Sequence, residues 1–455
     1  MTEHTITYGS RSIPVLVQAG CCVIGGGTAG TAAAVCAARR GERVVLVERG
    51  ISLGGMQTLG LVQPFMPTFA PHSDTPYVRD VKDRLRSEGI EWSDGMTDFA
   101  WTNPETLAYI YDTMTAEAGV TVLYQASLVD VVMAADHRRI EAVIIQTIGG
   151  LQALQAHVFI DASGDALLAR LAGAPVEAGY EKTGYNQPMS FRFEMGGIDM
   201  AALYVYIQSI HDDWCKTEPP YFEIAQARHR DIRYKLEDFF VKGIETGELT
   251  EADAEYFQAF TIPGKPGCMS MNCPELPVRF RAVEPLSYSE GVRYGRAMIR
   301  RISTYLIRHM PGFEKAFISR EAAMLGARES YRLIGKYVLG EADYYGRRRF
   351  ADGVARTAWY IDAHGEKVGE YLEPGEFYEI PYACLVTEQL DNLIVAGRCI
   401  STSFILEASM RIQPTCMSIG EAAGIAAAWA DQEGIAANQV DWAALPEGVR
   451  SYVSV

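Results

Sequence analysis

The sequence predicts an α/β fold with a parallel sheet, built from both ends of the chain and interrupted by an α+β insertion. Three observations carry this. Residues 15–50 read as strand, glycine-rich turn, helix and strand. Residues 393–430 read as a buried strand, a loop and an Ala-rich helix. Between them, from about residue 175 to 375, charged, aromatic and Pro/Gly-rich segments replace that pattern. Strands alternating with helices at short spacing mark a parallel sheet covered by helices.

Composition sets the outer limits. The chain has 455 residues, 48% hydrophobic and 22% charged, which suits two ordinary globular cores. Its formal net charge of -16 repels a phosphate backbone, so no nucleic-acid partner is expected. The nine Cys form no repeated C-x-x-C pair and read as reduced thiols, with Cys21 and Cys22 as small buried residues on a strand. "MTEHTITYGS" has no apolar signal core, and the longest weakly polar run, residues 24–38, is too short and too rich in Gly and Ala to span a bilayer. A soluble, cytoplasmic protein without a membrane partner is the expectation. No G-x-S-x-G, H-E-x-x-H or Cys/His zinc spacing occurs, so hydrolase and metal readings lack support.

The first element is the apolar run within "VLVQAGCCVI", residues 15–24. Gly25-Gly26-Gly27-Thr28-Ala29-Gly30 follows and fits G-x-G-x-x-G. "TAAAVCAARRGE" then carries small apolar residues at helical spacing, and "RVVLVE" is a second buried strand closing on Glu48. Each glycine has a physical task. Gly25 permits the tight turn, Gly27 admits a pyrophosphate to the backbone, and Gly30 lets helix and sheet pack closely. The free N–H groups of the helix face the phosphates. Glu48 is placed to accept hydrogen bonds from the adenosine ribose, and an acid there disfavours a 2′-phosphate. A Rossmann-like dinucleotide-binding unit is therefore expected. A second pair, Gly54-Gly55, follows just beyond Glu48. An NAD-only domain has no need for close backbone approach there, whereas a chain running along the ribityl and flavin part of FAD does.

On these residues the sequence resembles the FAD-dependent oxidoreductases related to the fumarate reductase and succinate dehydrogenase flavoproteins. "VIGGGTAG", "LVERGISLGGM" and "RCISTS…MRIQPTCMSIGEAAGIAAA" carry the resemblance, which runs from about residue 13 to 430. It implies FAD contacts at Gly25, Gly27, Thr28, Ala29, Gly30, Glu48, Arg49, Gly55, Met56 and Thr58, and Gly54 of the glycine pair joins them as a candidate. It implies an adenine contact through the backbone near Val129. In the respiratory members a His just past the glycine pair is bonded to the flavin. Here "GGMQTLGLVQ" has none and the next is His72, so FAD is expected to be bound non-covalently.

Along the rest of the chain, Asn103 and Pro104 open a helix that ends near Gly119. Residues 121–161 read as strands with hairpin breaks, closing in "VFIDASGD". Ala162, Gly164 and Asp165 are candidate cofactor contacts, and Asp161 and Asp165 are equally readable as simple caps. Residues 200–260 read mostly as amphipathic helix, and "LSYSEGVRYGRAMIRRISTYLIRH" as one long helix with a basic, solvated face. "DNLIVAGRCIS" is a strand ending at Gly397 and Arg398, further cofactor candidates. Ile412, Gln413 and Thr415 open the last helix, whose Gly420, Ala423, Gly424 and Ala427 let it lie close to something flat or to a strand. The resemblance aims its N-terminus at the flavin pyrimidine, where the helix dipole suits negative charge. A helix that merely packs on the sheet is the other reading.

Three segments could face the reactive ring. Arg328 and Arg332, four apart in "ARESYRL", would share a helix face and suit an anionic substrate, or would pair with acids such as Glu329. His364 in "DAHGE" is a candidate proton carrier and Arg411 a candidate substrate or oxyanion ligand. Arg332, His364 and Arg411 are the expected catalytic group. The domains expected are an FAD-binding domain of residues 13–174 and 376–440 and a substrate domain of residues 175–375. The expected activity is dehydrogenation of a small polar or anionic substrate by hydride transfer to flavin N5. The alternatives are reduction of an activated C=C bond and an electron-transfer subunit. Hydroxylase relatives usually place Gly-Asp where this chain has Gly397-Arg398. The substrate and electron acceptor are not named by the sequence, and a homo-oligomer is compatible with it.

Overall fold

The computed structural model describes residues 12–90, 100–218, 221–228, 233–363 and 371–451. Its first sheet is built around strand Val15–Ile24, buried along its second half. Val44–Val47 pairs parallel to it on one side and Gly150–Asp161 on the other, and Thr121–Leu123 pairs parallel to Val44–Val47. The far edge of Gly150–Asp161 is divided. Its first half takes Ile140–Thr147 antiparallel, followed by Ser127–Met133, and its last residues take Leu393–Val395 parallel. Both ends of the chain thus meet on one strand, as the sequence predicts.

Two helices cover one another beside this sheet. Thr28–Ala38 and Gln413–Glu433 are buried along most of their lengths. A Cβ on Gly420 would lie 2.1 Å from the Ala29 carbonyl oxygen, and one on Gly424 2.3 Å from that of Ala33. Gly420 and Gly424 of the last helix are therefore a close contact with the first helix, and the last helix also packs on strands of the sheet. Asn103 caps Pro104–Ala118 by accepting from the amides of Glu105 and Thr106, and Gly119 ends it at φ 77°.

A second, antiparallel sheet runs in the order Lys216–Glu218, Tyr221–Ala227, Tyr256–Thr261, Met269–Met271, Phe193–Gly196, Phe317–Glu321. The long helix Pro285–His309 packs on it through Met298, Ile299, Ile302 and Leu306. Residues 200–260 alternate helix and strand, where the sequence reading expects mostly helix. Two large hydrophobic cores and one small cluster result among the described residues. One large core runs from Met189 to Leu325 and takes in Leu61; Leu333 and most buried hydrophobics after it rejoin the first core, and Ala70, Ala358 and Phe377 form the small cluster. The division between cores falls between Leu325 and Leu333 and does not coincide with residue 375. Among the described residues no helix is long and apolar enough to cross a membrane.

Candidate active site

The glycines of the first turn are not equivalent. Gly25 has φ +97°, and a Cβ there would lie 2.6 Å from the Ala162 carbonyl oxygen. A Cβ on Gly30 would lie 1.8 Å from the Gly25 carbonyl oxygen. These two are required by the fold. A Cβ on Gly27 would meet nothing within 4 Å. Gly27 is also the N-cap of Thr28–Ala38, and no side chain caps that helix. Its first amides are left for a ligand.

The second glycine pair lies along the first. Gly54 (φ +94°) donates its amide to the Gly26 carbonyl at 2.8 Å and bridges to Gly27. Glu48 ties this loop to the strand end: Oε2 accepts from the Gly26 amide at 2.8 Å and Oε1 from the Gly50 amide at 2.6 Å. Each oxygen keeps a lone pair suited to a ribose hydroxyl. Thr58 spends its hydroxyl on the Leu53 carbonyl at 2.5 Å, and Arg49 is exposed. Val129 sits where the ladder shifts register between Leu128 and Asp130, and its side chain is 44% exposed. Packing does not account for an apolar residue there.

The last helix presents a second uncapped N-terminus. Ile412 is its N-cap without a side-chain bond, and the Thr415 hydroxyl is buried without a partner. Gln413 donates to the Val62 carbonyl at 2.8 Å and accepts from Gln57 Nε2 at 3.1 Å. Gln57 Oε1 in turn accepts from Tyr111 at 2.6 Å and from Thr28 at 3.3 Å. One buried amide side chain so brings two uncapped helix N-termini to a common loop. Gln57 is not among the sequence candidates. Its signal was its place inside "GGMQTLG" between two residues that are.

Ala162, Gly164 and Asp165 close the neighbouring turn. Ala162 donates its amide to Ile24 at 2.8 Å. Asp161 is a local brace, accepting from Ser163 and from the Ala169 amide. Asp165 pairs with Arg398 at 2.6 Å and accepts from Ser330 at 2.7 Å. Arg398 also donates to the carbonyls of Gly164 and Ala327. These side chains knit the strand ends together, and Gly397 (φ +85°) leaves 2.9 Å between an added Cβ and Ala29.

The expected catalytic group is only partly assembled. Arg332 lies on strand Tyr331–Leu333, which pairs with Val176–Ala178, and Arg328 lies in the loop before it, so the two share no helix face. The Arg332 side chain is fully buried, engaged by Glu329, Glu177 and the Thr402 carbonyl, and faces no open space. His364 lies outside the described residues. Arg411 ends the helix Phe404–Met410 two residues before Gln413, and its guanidinium meets the Asp362 carbonyl at 3.2 Å and carboxylate at 3.6 Å.

Arg411 belongs to a polar group that the sequence reading did not assemble. Arg328 bonds Glu275 at 3.0 Å and the Pro188 carbonyl at 2.6 Å. Tyr256 feels Asp362, Arg328, Arg192 and Glu275, and its hydroxyl bonds Gln258 at 2.8 Å. Burial pushes the Tyr256 phenol up, so it is a neutral donor. Burial pushes Arg192 down to about 10, and its Nε and Nη2 have no partner. Burial also lowers Arg411, opposed by Asp362, and its Nε is unpartnered. Buried guanidinium donors without acceptors are costly unless an anion completes them. Arg192 and Tyr256 belong to the antiparallel sheet region, which sequence spacing does not connect to Arg411.

Two uncapped helix N-termini and an open backbone at Gly27 fit a group with a pyrophosphate at one end and an electron-accepting ring at the other. The chain covers 94% of itself and 81% of the flavin-dependent brominase Bmp2 at 12% identity and TM-score 0.48. It covers 92% of itself and 81% of p-nitrophenol 4-monooxygenase PnpA from Pseudomonas putida DLL-E4 at 11% identity and TM-score 0.47. For L-proline dehydrogenase from P. horikoshii the figures are 95% and 97%, at 12% identity and TM-score 0.41. No curated protein matches in sequence. The FAD dependent oxidoreductase family itself matches residues 20–449, nearly the whole chain, and this enzyme therefore belongs to the FAD-dependent oxidoreductase family.

Proposed function

We propose that this FAD-dependent oxidoreductase dehydrogenates a small anionic substrate held between the last helix and the antiparallel sheet. The observation that carries the reading is the pair of buried, incompletely bonded guanidinium groups of Arg411 and Arg192, with Arg328 and Tyr256 beside them. When bound, FAD supplies the acceptor for the hydride. Gly27, Thr28, Ala29 and Gly30 would hold its pyrophosphate, Glu48 its ribose, the backbone at Val129 its adenine, and the amides of Gln413 and Thr415 the pyrimidine end of its ring.

The chain's own work is then electrostatic. Arg411 and Arg192 fix the substrate anion through charge-assisted bonds, which orients the C–H to be broken. Tyr256, whose hydroxyl donates to Gln258, lines the group without carrying charge. Asp362, held against Arg411, and His364 two residues on are the candidates to receive the substrate proton. Burial of the group excludes water from the reacting face.

Anaerobic titration of the purified holoenzyme with small carboxylate metabolites tests this reading. A matching substrate bleaches the flavin, and Arg411→Ala slows the bleaching while flavin content stays normal. Bleaching by uncharged substrates alone, undiminished in Arg411→Ala, would sink the anion site. Oxidation of pre-reduced enzyme by an unsaturated acid, with no bleaching by any saturated one, would reverse the direction.

A further inference from the structure

Glu407 lies on Phe404–Met410, one turn before Arg411. Side chains four apart on a helix meet, and opposite charges at that spacing attract. Here the pair does not close. Glu407 is fully buried, and neither of its carboxyl oxygens has a hydrogen-bond partner. Arg411 turns to Asp362 and keeps a buried Nε without a partner. The charged groups around Glu407 are Glu329, Arg332, Arg398 and Arg411. Arg332 is committed to Glu329, Glu177 and Thr402, and Arg398 to Asp165 and two carbonyls. Of the three arginines, Arg411 has the unspent donor. Cys416 of the last helix is also near, but burial pushes its thiol up to about 12, out of the neutral range.

A carboxylate placed so would lose its hydration and gain no hydrogen bond in return, so the neutral acid is favoured. We propose that Glu407 is a positioning residue that decides whether Arg411 is available to the substrate. As a neutral acid it leaves Arg411 to the anion site. As a carboxylate it draws Arg411 back into the helix-spaced ion pair and empties the site of its main positive charge. The proposal rests on the anion-site reading above and adds to it a pH limit set by a residue that touches no substrate. Burial and Glu329 raise the Glu407 ionisation and the three arginines lower it, with burial dominant. The competing form therefore appears only above the ordinary carboxylate range.

Acetate binding to the FAD-loaded enzyme, followed by the shift it causes in the flavin absorption at constant ionic strength, tests the proposal. Wild-type affinity is expected to fall as pH rises beyond the ordinary carboxylate range, by up to about tenfold per pH unit. Glu407→Gln, which cannot ionise, keeps the low-pH affinity throughout, and Asp362→Asn retains the wild-type fall. A Glu407→Gln profile that follows wild type, or a fall abolished by Asp362→Asn instead, overturns the proposal. Absence of acetate binding at any pH, or binding unchanged in Arg411→Ala, overturns the anion site itself and the proposal with it. Infrared spectroscopy of the wild type supplies a readout independent of the variant's folding. The carbonyl band of a buried neutral acid should be present at the pH where acetate binds tightly and vanish over the range where acetate affinity falls. A wild type without that band refutes the neutral Glu407.

Discussion

Replacing Gly27 by Val separates the cofactor site from the fold. The backbone at Gly27 has φ -71° and ψ -170°, a region open to any residue. An added Cβ meets nothing within 4 Å, so the protein itself offers no clash. The apoprotein should therefore keep its stability to within about 0.5 kcal/mol, as for an uncrowded surface change. The pyrophosphate would meet a branched side chain where it needs bare backbone, and would lose about two charge-assisted bonds from the amides of the helix start. At about 1.5–3 kcal/mol each, that is about 3–6 kcal/mol, or on the order of a hundred- to ten-thousand-fold in FAD affinity. Denaturation of the apo forms and fluorescence titration with FAD are the two assays. Gly30→Ala is the contrast, because its Cβ would sit 1.8 Å from a backbone oxygen and must disturb the fold. A Gly27→Val enzyme that binds FAD like wild type would refute the placement of the phosphates, and one that fails to fold would refute the reading of open space.

Flavin should leave the denatured chain on acid or heat treatment, since no His lies just past the second glycine pair and the next, His72, is exposed; colour retained by the denatured chain would contradict this. Arg411→Ala should slow flavin reduction on the order of a hundredfold, the worth of about 3 kcal/mol of charged bonding, with normal flavin content by absorbance. Arg332→Ala should act on folding instead, costing about 3–5 kcal/mol in denaturant unfolding because it strands the buried Glu329 carboxylate. Glu407→Gln should stabilise the protein as pH rises. The folded Glu407 pKa is raised, so between the unfolded value of about 4.3 and the folded one the native state binds the extra proton. Wild-type stability then declines by up to about 1.4 kcal/mol per pH unit across that window, and the variant lacks this slope. Parallel pH–stability curves for the two proteins would contradict the assignment.

What the sequence made legible was local. The first β-α-β unit, the Asn103 cap with Gly119, the long helix Pro285–His309 and the Pro414 start of the last helix all rest on residues close together in the chain. Arg328 and Arg332 show where such reasoning fails. Their spacing suits a helix, but Glu329 between them is bonded to the Gly179 amide and Asn186, Ser330 to Asp165, and Tyr331–Leu333 to Val176–Ala178. Partners some 150 positions away in the chain override a four-residue period. The same holds for residues 200–260, where charged and aromatic residues occupy strands of the second sheet as readily as helix faces.

The site is divided in the same way. Glycines announce the cofactor cradle because backbone approach is a local demand, whereas the proposed anion site draws Arg192 and Tyr256 from one core and Arg411 from the other. The junction of the last two helices joins the halves. Arg411 closes one helix, and Gln413 opens the next and reaches the glycine loop through Gln57. Within one turn of chain lie a guanidinium with an unpartnered Nε, which the proposal gives to the substrate, and uncapped amides, which it gives to the cofactor. Glu407, one turn back on the same helix and without a partner of its own, is the group best placed to set the charge of that junction.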